Sequence, residues 1–226
     1  MRTPQLAVGL VLVLSTVLPH GLGAQDVAAR LDGRVPPEAQ RAVRGIAADA
    51  AARGLPVEPL VQKAIEGGAK GVPADRVIAA VRALAGRLGE AMAAMHEAGV
   101  AAPSGDVVEG GADALNAGLS GGQVRELMRM SHPPYDPALT LRVAATLAAL
   151  GVPAKQTVQL LAGMISAGRS LGDLLSLPGQ VQTGVSHGAT PAQAAAGLAR
   201  AAGGTPPGRS PGWVPPGQRK GHPHKP

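Results

Sequence analysis

Five times along this chain a glycine is followed by one apolar residue and then by Pro, Ser or Thr, with a helix-forming stretch beyond. The copies are Gly54-Leu55-Pro56, Gly71-Val72-Pro73, Gly118-Leu119-Ser120, Gly151-Val152-Pro153 and Gly188-Ala189-Thr190. Glycine takes the left-handed backbone conformation that closes a helix. The apolar residue packs back on the helix just ended. Pro is tolerated in the first turn of the next helix, and Ser or Thr caps it. Ser120 with Gln123, and Thr190 with Gln193, have the spacing of a capping box, and Pro191 falls at a first helical position. The pattern therefore spells a helix-to-helix turn, and its recurrence restricts the chain to short antiparallel helices. The copies stand 17, 47, 33 and 37 residues apart. A strict solenoid needs a constant period, so the units read as degenerate helical hairpins.

The segments between these turns step apolar residues by three or four. Val77, Val81, Leu84, Leu88, Met92 and Met95 do so, as do Val143, Leu147 and Leu150, and Val158, Leu161 and Ile165. This spacing predicts helices over 37–52, 57–67, 74–98, 107–117, 121–131, 137–150, 154–167, 170–183 and 191–202. No segment alternates as a strand. The expected fold is all-α: a small bundle or irregular array of short helical hairpins, ending in a disordered Pro/Gly-rich basic tail. Gly99 to Gly111 is the best candidate for a joint between an N-terminal and a C-terminal lobe.

The core of such a fold must be lean. Phenylalanine is absent, and Tyr135 and Trp213 are the sole aromatics. Alanine supplies much of the 45% hydrophobic content; it favours helix but buries little area. Helices with small side chains must approach closely. Cysteine is absent as well. That excludes disulfides, thiol catalysis, thiolate metal sites, thioether-linked haem and acylation of a lipoprotein cysteine.

The first 24 residues have the layout of an export signal. Arg2 gives a positive start, the run from Leu6 to Leu18 gives an apolar middle, and Leu22-Gly23-Ala24 offers a small residue at the cut. The apolar run is short for a membrane span. The expectation is an exported protein, periplasmic or secreted, cleaved near Ala24, with no transmembrane span in its mature form. The domain plan is then a signal at 1–24, a helical domain at 25–202 and a disordered basic tail at 203–226.

Charge follows the same division. All 15 acids lie between Asp26 and Asp173, and residues 25–202 hold 16 basic side chains against them. Arg209, Arg219, Lys220 and Lys225 have no acid near them, so the net charge of +6 belongs largely to the tail. That tail is suited to a protein partner or to anionic envelope polymers, with Arg219 and Lys220 as contacts and Trp213 as its one large apolar anchor. Four charges with no aromatic platform in the body do not make a specific nucleic-acid site.

Reactive side chains are sparse. Ser131-His132-Pro133-Pro134-Tyr135-Asp136-Pro137 is the densest group, and His132, Tyr135 and Asp136 are its candidate ligand or interaction residues. Asp136 followed by Pro137 also reads as a helix cap and first helical residue, and Tyr135 as packed at the base of the turn. Gly184-Val185-Ser186-His187-Gly188 matches a nucleophile elbow, but no acid follows Asp173 to complete a triad, and no strand precedes it. His96-Glu97 opens a zinc-protease motif whose second histidine would fall on Val100. His96 fits better as a partner for helix-end carbonyls. His222 and His224 lack a third fixed ligand. No residue is assigned a catalytic, cofactor or metal role, and no cofactor is expected. The sequence reads as an exported, non-enzymatic structural or interaction protein. The rival reading is a small-molecule-binding protein or enzyme with a site assembled from distant residues around His132 and Asp136, to which His96 and His187 are candidate contributors.

Overall fold

The computed structural model describes residues 24–203. The N-terminal segment read as an export signal and the basic tail, including Trp213, Arg219 and Lys220, lie outside the described residues. Ten α-helices and no strand occur among the described residues. In chain order they are α1 (Ala24–Leu31), α2 (Pro37–Ala52), α3 (Glu58–Ala69), α4 (Ala74–Glu97) and α5 (Gly105–Asn116). They continue with α6 (Gly121–Met130), α7 (Pro137–Ala149), α8 (Ala154–Ser166), α9 (Leu171–Ser186) and α10 (Pro191–Gly203). The all-α expectation holds. The apolar spacing did not yield α1, a short helix that puts Val27 and Leu31 into the core from one face.

The turns show why the helices end where they do. At Gly118 the backbone adopts φ +102°. The Gly118 N–H then donates to the Leu115 carbonyl at 3.1 Å, and the Leu119 N–H reaches back to Ala114 at 3.0 Å. This pair of bonds is the Schellman closure, and it satisfies carbonyls that the helix end would otherwise leave bare. The same pair recurs after α2, α3, α4, α7, α8 and α9. Leu119 itself is buried, as are Leu55 and Val152 at two other turns. The next helix starts at once: Ser120 and Gln123 form the reciprocal capping box, and Ser170 with Asp173 forms another.

Apart from α8 with α9 and α3 with α5, each helix packs on its chain neighbour and on the helix two positions further along. The even-numbered helices α2, α4, α6, α8 and α10 thus make one continuous row, and α5, α7 and α9 line up in a second. The 24-residue α4 is the spine of the molecule and touches α2, α3, α5 and α6. The result is a two-layer stack of hairpins, in which each unit buries its apolar face against the next. One connected cluster of buried apolar side chains runs from Val27 to Ala202.

Close approach compensates for the small side chains. Gly110 and Gly111 sit side by side in α5. A Cβ on Gly110 would lie 3.1 Å from the Ala138 carbonyl of α7, and one on Gly111 would lie 2.7 Å from Met95 Cε of α4. Three helices therefore meet around two missing side chains, and the close approach adds dispersion contacts.

Polar rungs tie the rows at the helix ends. Arg129 of α6 donates to the Glu97 carbonyl at the end of α4 (3.0 Å), and Arg169, after α8, donates to Ala201 near the end of α10 (3.1 Å). Arg125 pairs with the Glu97 carboxylate. A cation at a helix C-terminus complements both the bare carbonyls and the helix dipole.

Candidate functional site

The α6–α7 connection holds the densest group of reactive residues, and its local chemistry is that of a turn. Ser131, buried, donates its hydroxyl to Leu127 at 2.8 Å and so caps the end of α6. The Tyr135 N–H donates to the His132 carbonyl at 2.8 Å and closes the loop. Asp136 accepts from the Leu139 N–H at 3.0 Å and is the N-cap of α7, with Pro137 in its first turn. Tyr135 is buried, and its hydroxyl donates to the Arg169 carbonyl at 2.6 Å. That bond links the start of α7 to the start of α9, one rung along the array. The His132 side chain is exposed.

His187 and His96 belong to other helix ends. Nδ1 of His187 bonds the Thr183 carbonyl at 2.9 Å, and Ser186 donates to Gln182 at 3.0 Å, so the segment resembling a nucleophile elbow is the last turn of α9. His96 lies exposed in the last turn of α4. The carbonyl-capping role expected of it is filled at that end by Arg129 and, at the end of α9, by His187. Among the described residues no three His, Asp or Glu side chains gather as a metal site. No described helix is long and apolar enough to cross a membrane.

Two concave surfaces were not evident from the sequence. The first lies between α5 and α7, an open cleft of about 700 Å³ lined by Asp113, Asn116, Arg142 and Thr146. Burial raises the carboxyl of Asp113 above its ordinary range, against the pull of Arg142. Glu109, one turn earlier, is raised for the same reason, with help from Asp106 and against Arg142. Desolvation outweighs the single facing cation at both groups.

The second is a groove of about 570 Å³ on the outer flank of α2, roofed by Val27 of α1 and Val57 before α3. Its wall is Gly45, Ala48 and Ala51, and Arg41 and Arg44 stand on its edge. The two arginines are one turn apart and exposed. No described carboxylate lies within ion-pair distance of either. Its volume falls within the range of small-molecule sites, about 300–1,000 Å³. The only sequence signal for it is that Gly45, Ala48 and Ala51 leave one flank of α2 without bulk.

Comparison with protein-family models, with curated proteins and with solved structures finds no match for this chain.

Proposed function

We propose that this chain is an exported, non-enzymatic interaction protein. In this reading its stacked hairpins present a rigid surface, and its basic C-terminal tail holds it to anionic polymers of the cell envelope. The continuous even row α2–α4–α6–α8–α10 carries the reading. Stacked hairpins of this kind give extended surfaces suited to binding rather than a single deep cleft. The spending of Asp136 on a cap and of the Tyr135 hydroxyl on a backbone carbonyl favours it over a site built around His132 and Asp136.

Fractionation of the cells that make the protein tests the reading. The mature product is expected to begin at Gln25 and to sediment with the envelope at low salt. It is expected to wash off as ionic strength rises, because exposed charge contacts are screened. Deleting residues 204–226 is expected to release it at low salt. A product that keeps residues 1–24 in the cytosol refutes the export. Retention that ignores both salt and the deletion refutes the role of the tail.

A further inference from the structure

From the groove on α2 we infer that the protein binds a single-chain anionic amphiphile, an aliphatic tail carrying a carboxylate or phosphate head. This site is independent of the envelope-binding tail. The inference starts from the order of the row. α4, α6 and α8 each have a row neighbour on both sides, whereas α2 is the first of its row and packs on α4 from one side. The other flank of α2 is met by α1, and the space left between them is the groove.

The lining defines the ligand. Val27 and Val57 close the groove with branched apolar side chains, while Ala48 and Ala51 give it a smooth wall. Gly45 leaves the wall without a side chain, and a Cβ there would meet no atom within 4 Å. An aliphatic chain can fill such a space without a polar partner, and water gains nothing from it. The charge is all at one edge. Arg41 and Arg44, three residues apart on one helix face, repel each other, and neither forms an ion pair with a described carboxylate. Two guanidinium forks on adjacent turns suit one anionic head, because each presents paired N–H donors in the plane a carboxylate or phosphate requires. An apolar slot ending in two unpaired cations is complementary to a fatty carboxylate or an alkyl phosphate, and it opposes a cationic amphiphile.

Calorimetric titration of the purified protein tests this, with dodecanoate, dodecyl phosphate, dodecanol and dodecyltrimethylammonium, each below its micelle concentration. Saturable one-to-one binding of an anionic probe is expected, with a negative heat-capacity change from the buried chain. Whichever anionic probe binds tighter identifies the head, carboxylate or phosphate. Arg41→Gln with Arg44→Gln is expected to weaken it about tenfold or more, the low end for lost charge-assisted bonds. Gly45→Leu fills the slot and is expected to abolish binding. The midpoint of thermal unfolding is expected to hold in the double arginine variant and not to fall in Gly45→Leu, which gains helix propensity, since neither touches the core. Arg82→Gln, on the α4 side of α2, serves as the control and leaves binding unchanged. Equal binding of the cationic probe, absence of saturable anionic binding, or unaltered affinity in the double arginine variant each overturns the inference.

Discussion

Glycine does opposite work at the two regions of the array that differ most. In the middle, Gly110 and Gly111 bring α5 against α7 and α4, and added Cβ atoms would meet Ala138, Leu141, Ala91 and Met95 at 2.7 to 3.2 Å. At the N-terminal end, Gly45 faces open space. The first pair closes a core that has no phenylalanine to fill it; the second leaves a helix flank uncovered. A stack of repeating units satisfies its interior members on both sides and leaves its end members with a face to hide or to use. The contrast separates positions where substitution tests packing from positions where it tests binding.

Gly110→Val gives the largest effect. The new side chain points at the Ala138 carbonyl, which is backbone and cannot swing aside. A flexible neighbour would yield, as the Met95 methyl would for a small addition at Gly111. We expect a loss of about 3 kcal/mol, the upper part of the overpacking range. That corresponds to roughly 6–12 °C in the thermal midpoint of a chain this size, read by circular dichroism. An unchanged midpoint means that α5 and α7 are further apart than described.

The rung at Tyr135 comes next. Tyr135→Phe keeps the buried ring and removes the hydroxyl that donates to Arg169. About 1 kcal/mol is expected, the usual net value of one such bond. If denaturant melts show no change, the bond to the Arg169 carbonyl contributes nothing to joining α7 and α9.

The opposite sign is expected at the open end. Gly45→Ala places a methyl where nothing stands, in the interior of α2. The helix gains about 0.8–1 kcal/mol of propensity with no packing penalty. A raised midpoint here, beside a lowered one for Gly110→Val, is the direct demonstration of the contrast. A lowered midpoint at Gly45 means that something already fills the groove.

These regions also differ in how far sequence alone reveals them. The Schellman turns were legible because glycine and the following N–H do local chemistry that needs no knowledge of the rest of the fold. Gly168 escaped because Arg169 stands where an apolar residue was required. Yet its N–H makes the same bond, to Met164 at 3.0 Å, and its guanidinium goes to Ala201. The closure needs a backbone donor at that position, and packing is optional. Gly99 escaped because Pro103 follows four residues later instead of two, so the connection to α5 is longer. Asp136 as a cap and Tyr135 at the base of a turn were readable from spacing alone, though the carbonyl that Tyr135 reaches, 34 residues away, was not. The groove was least legible of all. Gly45, Ala48 and Ala51 look like any thin solvent face until the stacking order shows that no helix of the row covers them.

The smallest effect expected concerns the pair that fastens α1 to α3 beside that groove. Arg30 donates to both oxygens of Glu58, with Nη2 at 2.7 Å from Oε1. The bond from Arg30 holds the Glu58 carboxyl at about 2, below its ordinary 4.5. The native state thus favours the ionised form. The stabilisation is complete above the unfolded value and is lost as pH falls from about 4.5 toward 2. Both side chains are partly exposed, at 28% and 46%, so solvent screens the pair. Its worth is held within the surface range of about 0–1 kcal/mol. Glu58→Gln should therefore lower stability by less than about 1 kcal/mol at pH 7. That difference from the native chain should shrink steadily below pH 4.5. Glu66 and Asp173 also sit below their ordinary values and lose stabilisation in acid, while Asp113 and Glu109 sit above theirs and act in the opposite direction. The difference between the two chains, measured by urea unfolding across that window, isolates Glu58. Absence of any gap at pH 7 would show that α1 is fastened by packing of Val27 and Leu31 alone. The groove would then keep its shape in acid, where a carboxylate ligand loses its charge.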